Sequence, residues 1–217
     1  MPKPISGLAW EKHCMNGQEY TLDHLHPYPW EIVIPSKDGK PDRCLQVLVS
    51  YSLHCFTRRP KDGEAIPDDA WYSDSRESRV FDVLRWELSK YLPDIITSLE
   101  QRRCLHTGRE EFVTVEVLHE GRQFEYAVFF SVTKGGKSGA NLNLFVNSAH
   151  ERTDAIKYKK PIRFHFILMN RYMGVFAQKH ESDYSRTSPP ESWGTGIRAN
   201  SPMSRSRSIG SSGLPNS

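Results

Sequence analysis

Apolar and polar side chains alternate in five stretches between residues 46 and 169, and that alternation constrains the chain more than anything else in it. Gln46–Ser52 sets Val47, Val49 and Tyr51 against Gln46, Leu48 and Ser50. Phe112–Leu118 puts Val113, Val115 and Val117 on one side, and Gln123–Val132 does the same with Phe124, Tyr126, Val128, Phe130 and Val132. Asn141–Ser148 opposes Leu142, Leu144 and Val146 to Asn141, Asn143, Phe145 and Asn147. Ile162–Met169 opposes Ile162, Phe164, Phe166 and Leu168 to Arg163, His165 and Ile167. Successive side chains of a strand point to opposite faces, so this period of two predicts a sheet with one well-buried face.

The links between the stretches predict antiparallel pairing. His119-Glu-Gly-Arg122 is short enough for a turn, and Gly135-Gly-Lys-Ser-Gly139 is a flexible loop. Parallel neighbours need a crossover, usually a helix, and no helical pattern follows residue 103. One helical segment precedes these strands. In Glu77–Arg102, Val80, Phe81, Leu84, Leu88, Tyr91, Leu92, Ile95 and Leu99 recur at three- and four-residue steps. Asp74 followed by Glu77 fits a capping-box start, and Pro93 predicts a kink or a restart, with Pro93 near a new first turn. The expected fold is α+β: an antiparallel sheet of about five to six strands packed on one long, Pro-broken helix.

Residues 1–44 are expected to form an N-terminal extension packed on a core domain of residues 45–177. Residues 178–217 hold eleven Ser, four Pro and four Gly, a composition that buries too little apolar surface to offset ordering entropy, so a disordered Ser/Pro/Gly/Arg-rich tail is expected there. Net charge is only +3, which says little about partners. No run reaches the roughly 18 apolar residues of a membrane span, and the first ten residues lack the apolar stretch of a secretory signal. Cys14, Cys44, Cys55 and Cys104 are widely spaced. Reduced thiols and a cytoplasmic setting are therefore expected, with no membrane partner.

Several sites suggest themselves. Lys134-Gly-Gly-Lys-Ser138 lacks the earlier Gly and the following helix of a phosphate loop, so a hairpin loop is expected. His13, Cys14, His24, His26, Cys44, His54 and Cys55 show no zinc spacing, and neither a metal nor a cofactor is expected. The strand end Tyr51–Arg59 brings His54, a proton carrier near neutral pH, close to Arg58 and Arg59, which can fork onto phosphate. Arg79, Asp82 and Arg85 follow at three-residue steps, either as intrahelical ion pairs or as part of the same site. On the late strands, Asn143, Asn147, Arg163 and His165 should share the outer face, with His150 and Arg152 closing the fourth strand. That face is either solvated or a shallow groove for a polar ligand.

Tyr51-x-x-His54-x-Phe56-Thr57-Arg58, then Phe81-Asp82 through Arg85 to Leu88-Ser89 and Leu92-Pro93, and Asn143–His150 together resemble a set of uncharacterised bacterial proteins often carried on plasmids or integrated elements. The resemblance spans about residues 45–170 and implies a bacterial cytosolic setting, with no activity attached. Two functions stay open. One is an interaction module binding a protein or nucleic-acid partner. The other is a small metal-independent nuclease or phosphate-ester enzyme, toxin-like, with His54 or His150 moving the proton and Arg58, Arg79 or Arg152 holding phosphate.

Overall fold

The computed structural model describes residues 9–36, 39, 41–106, 111–136, 139–152 and 159–174, which all fall in one compact unit. The expected tail at 178–217, Lys137 and Ser138 lie outside the described residues. The chain begins with a hairpin, β1 (His13–Met15) and β2 (Gln18–Tyr20), followed by β3 (Tyr28–Ile34) and β4 (Arg43–Tyr51). A 3-10 turn at Leu53–Cys55 leads into the short strands β5 (Thr57–Arg58), β6 (Trp71–Ser73) and β7 (Ser78–Phe81). Then come α1 (Val83–Ser89), α2 (Leu92–Thr97), β8 (Arg103–His106), β9 (Glu111–His119), β10 (Arg122–Lys134), β11 (Leu142–Glu151), β12 (Lys159–Arg163) and α3 (Phe164–Met173).

Seven strands form the central sheet in the order β12-β8-β9-β10-β11-β4-β3, and β5, β7 and β6 form a separate three-stranded sheet. The central sheet is mixed, which corrects the all-antiparallel expectation: β11 runs parallel to β4, with Leu144 opposite Val49 and Phe145 opposite Ser50. Turn chemistry reports only on neighbours in sequence. β4 and β11 are separated by the small sheet, two helices and three strands, so their common direction needs no single crossover helix. The local turns behave as expected. Glu120 and Gly121, at φ 48° and 77°, join β9 to β10 in a tight two-residue turn.

The expected helix and last strand both shift. Asp74 does accept the Glu77 amide at 2.9 Å and the Arg76 amide at 2.8 Å, yet this closes the β6–β7 hairpin, and residues 78–81 continue as strand. The helix cap is Asp82, whose Oδ1 accepts the Arg85 amide at 2.9 Å. Pro93 sits in the first turn of α2, as expected of a restart. The stretch read as a strand through Met169 ends at Arg163 and becomes α3. Phe164, Ile167 and Leu168 are 1%, 4% and 0% exposed whereas Phe166 is 48% exposed, the three- and four-residue spacing of a helix face. Gly174 stops α3 in the left-handed region at φ 74°.

The inward phase of β4, β9, β10 and β11 forms one apolar cluster with Leu88, Leu92, Ile95, Ile96, Phe164, Ile167 and Leu168 from the helices. The opposite phase stays outside that cluster, including Leu48 and Ala127, although both are buried. The sheet therefore has a helix-covered face and an open face. No helix of the described residues is long and apolar enough to cross a membrane.

Candidate functional site

Most of the early candidates meet where the 3-10 turn, β5, β7 and α1 converge. Ser52 caps that turn by accepting the His54 amide at 3.0 Å. His54 Nε2 lies 2.7 Å from Glu77 Oε1. Glu77 also lies 3.5 Å from Arg79 Nη1, and Arg79 is only 7% exposed. Arg79 Nε donates to Thr57 Oγ1 at 3.0 Å, and Thr57 donates onward to the Leu53 carbonyl at 2.7 Å. Arg85 Nη1 donates to the Thr57 carbonyl at 2.8 Å and the His54 carbonyl at 3.3 Å. Arg58 forks onto Glu64 and stands 3.5 Å from Asp82.

The charges in this cluster cancel internally. Burial works against the Glu77 carboxylate, but the His54 hydrogen bond and the charges of His54 and Arg79 hold it below its ordinary value. The Arg58 fork, with the Lys61 amide, pushes Glu64 down to about 2. Desolvation lowers Arg79, opposed by Glu77. Glu64 did not stand out in the sequence, and Glu77 did so only as a capping-box residue, because a carboxylate in a polar loop carries no periodic signal. Arg59 is exposed and contributes its carbonyl to Arg58 Nη1 at 3.2 Å.

This cluster touches the late strands. Ser52 donates to the Asn147 carbonyl at 2.7 Å, and the Ser52 amide donates to Val146. Asn147 is the extra residue of a β-bulge, since Phe129 pairs with Ser148 and Phe130 with Val146. Its side-chain oxygen accepts from Ser131 at 3.4 Å. Burial first, then the Arg85 charge, lowers the His150 pKa, so this ring stays neutral at pH 7. Arg163, the last residue of β12, pairs with Arg103 in the outward phase at the far edge of the sheet, opposite the phase of Ile162 and Cys104. His165 does not share that face, because the strand-to-helix change at residue 164 puts it on α3 beside Phe166.

The open face, expected to carry Asn143 and Asn147, also carries an aromatic pair. Phe129 and His150 stack at 5.4 Å with 14° between their planes. Phe145 lies opposite Ser131 and Ser50, and Asn143 lies opposite Thr133 and Leu48. Phe129, Phe145, His150, Asn143 and Asn147 are each partly exposed. On β3, β4, β9, β10 and β11 the outward charges around them are mostly acidic, whereas the exposed Arg103 and Arg163 project from β8 and β12 at the far edge. Glu31, Glu116 and Glu125 point outward from β3, β9 and β10, with Arg152 held by Glu125 at 2.6 Å. Leu118, 66% exposed, continues the face on β9. The signal for Phe129 lay in its odd parity, opposite to Phe130.

One further pair resembles catalytic machinery. His24 Nε2 lies 2.8 Å from Ser89 Oγ, but Ser89 is fully buried and donates to the Trp86 carbonyl at 2.7 Å. Its proton is therefore committed, His24 is the donor, and no base faces the hydroxyl. Burial takes His24 down to about 4.

The sequence pattern of the YjaZ family matches residues 12–172, so the chain belongs to the YjaZ family. It is similar to "Protein YjaZ" of Escherichia coli (strain K12), with 28% identity over 144 residues, 64% of this chain and 77% of the relative. No solved structure matches.

Proposed function

We propose that this YjaZ-family chain is an interaction module. In this reading the open face of β9, β10, β11 and β4 binds a protein segment that is apolar at its centre and basic at its flanks. The observation that carries this is the charge around the aromatic patch. Phe129, Phe145 and His150 offer flat apolar contact beside the polar Asn143 and Asn147, while on β3, β9 and β10 the outward charges are Glu31, Glu116 and Glu125 against Arg152, with Arg103 and Arg163 further out at the β8–β12 edge. A face that reads nucleic acid needs cations for the phosphates, and these carboxylates repel them. A basic protein segment meets complementary charge and gains orientation from it.

The enzyme reading is less favoured. A phosphate-ester enzyme needs a cation aimed at the transferring group. Arg58, Arg79 and Arg85 are instead held by Glu64, Glu77, Thr57 and two backbone carbonyls, as a brace between the small sheet and the central one. A cytoplasmic setting belongs to the same proposal and accords with four free cysteines.

The test is a binding titration with three labelled probes: a peptide with a Leu/Phe centre and Lys/Arg flanks, its acidic-flanked counterpart, and oligouridine. The basic-flanked peptide should bind best, and Phe145→Ser or Glu125→Lys should weaken it about tenfold or more. Preference for oligouridine, or unchanged binding by both variants, would contradict the reading.

A further inference from the structure

The β1–β2 hairpin is held against the small sheet by its own side chains. It turns on Asn16 and Gly17, at φ 52° and 74°. His13 lies over Phe81 at 4.5 Å and edge-on to Tyr72 at 5.5 Å. Tyr20 contacts Phe81 at 5.0 Å and Trp86 at 4.9 Å. Two hydrogen bonds complete the seat: the Asn16 amide donates to Asp69 Oδ2 at 2.7 Å, and Tyr72 Oη donates to the Glu11 carbonyl at 2.9 Å. Within this aromatic seat His13 is 8% exposed, and its Nε2 is buried with no hydrogen-bond partner.

A neutral imidazole can leave that nitrogen bare, as an unprotonated acceptor. An imidazolium cannot, because both nitrogens become donors and one would point at apolar surface. We propose that the β1–β2 hairpin is a latch released by acid: protonation of His13 expels it from the seat formed by Phe81 and Tyr72.

The groups facing His13 set the balance. Asp69, packed against it from the loop before β6, favours the cation through its carbonyl and carboxylate. Desolvation outweighs Asp69, and the pKa lies below its ordinary 6.5. Tyr72 on β6, pushed up to about 12 by burial, is neutral at these pH values. On β7, Arg79 is turned to Thr57 and Glu77, and Asp82, next to Phe81, is turned to Arg85 and Arg58. On the hairpin itself, Lys12 pairs with Glu19 at 2.6 Å, and Glu11 and Cys14 are exposed. Stacking of an imidazolium on Phe81 returns less than its desolvation removes. The sign follows: His13 binds its proton more readily when the hairpin is out, so docking is complete above pH 6.5 and is lost as pH falls below it. Release would uncover Tyr72, Phe81 and Trp86.

The experiment is amide hydrogen exchange on the full chain between pH 7.5 and 5.0, corrected for intrinsic rates. Residues 13–20 should exchange about tenfold or more faster at the acid end while β10 and β11 keep their protection. His13→Phe, which fills the seat without titrating, should abolish the pH dependence of the hairpin. PH-independent protection in the wild type, or an acid rise that persists in His13→Phe, overturns the proposal. The wild-type His13 ring, followed by NMR, gives a second readout that needs no variant to fold. Its titration should coincide with loss of the hairpin's docked signals. A ring that titrates while the hairpin stays docked also overturns the proposal.

Discussion

Thr57 joins three parts of the polar cluster within a fully buried site: its hydroxyl accepts from Arg79 and donates to the Leu53 carbonyl, and its own carbonyl accepts from Arg85. Thr57→Val keeps the shape and leaves the Arg79 guanidinium short of an acceptor. It should lower stability by about 1–3 kcal/mol, read from urea denaturation. Tyr126 is the opposite case. Its hydroxyl is buried with no hydrogen-bond partner, and burial, with the nearby Cys55, raises its pKa well above the ordinary value. Tyr126→Phe should be neutral or stabilising by up to about 1–3 kcal/mol, because it removes an unmet polar group. A clear loss of stability would mean that the hydroxyl has a partner in solution. His24 is neutral in the fold, with its pKa at about 4 rather than 6.5. Protonation therefore favours the unfolded chain, and its contribution is complete above pH 6.5 and lost as pH falls toward 4. The urea midpoint should drop across that window, and His24→Gln should flatten the drop. At this scale the sequence was partly legible. His54, Arg58, Arg79, Asp82 and Arg85 do come together, but their spacing could not reveal Glu64 and Glu77, which neutralise them.

Asp74 and Asp82 show why element boundaries are harder to read than elements. Both precede a residue whose amide they cap three positions on, yet only Asp82 begins a helix. The side-chain geometry of a tight hairpin loop and of a helix cap is locally the same, and the pairing of β7 between β5 and β6 decides the outcome. The same holds at residue 164, where a short apolar run satisfies either period. Phe164 and Phe166 separate the two cases by experiment. On a strand they would share a face and respond alike. On α3, Phe164→Ala should cost about 3–5 kcal/mol, and Phe166→Ala should stay within about 1 kcal/mol, as measured by denaturation. Glu120 adds a prediction for the β9–β10 turn. Its φ of 48° suits Asn better than Glu, so Glu120→Asn should raise the thermal midpoint slightly, by a few tenths of a kcal/mol or more in stability.

Across the whole molecule, parity along the strands predicted which face of the sheet is buried, and the faces follow it until the bulge at Asn147, which reverses the phase of β11 and puts Ala149 in the core and His150 on the open face. What parity could not show was the order of the strands, because the β4–β11 pair is parallel and far apart in sequence. Nor could it show that Phe129, Phe145 and His150 gather among outward carboxylates, which depends on the registers of β9, β10, β11 and β4. That gathering is the basis of the proposed protein-binding face, and a photo-crosslinking amino acid tests it most directly in living bacterial cells. Placed at position 145 or 118 on the open face, it should give one discrete protein adduct, and charge reversal at Glu116 and Glu125 should remove it. Placed at Glu100, exposed after α2, it should give none. An adduct with nucleic acid, or the same adducts from position 100 as from 145, would contradict the account.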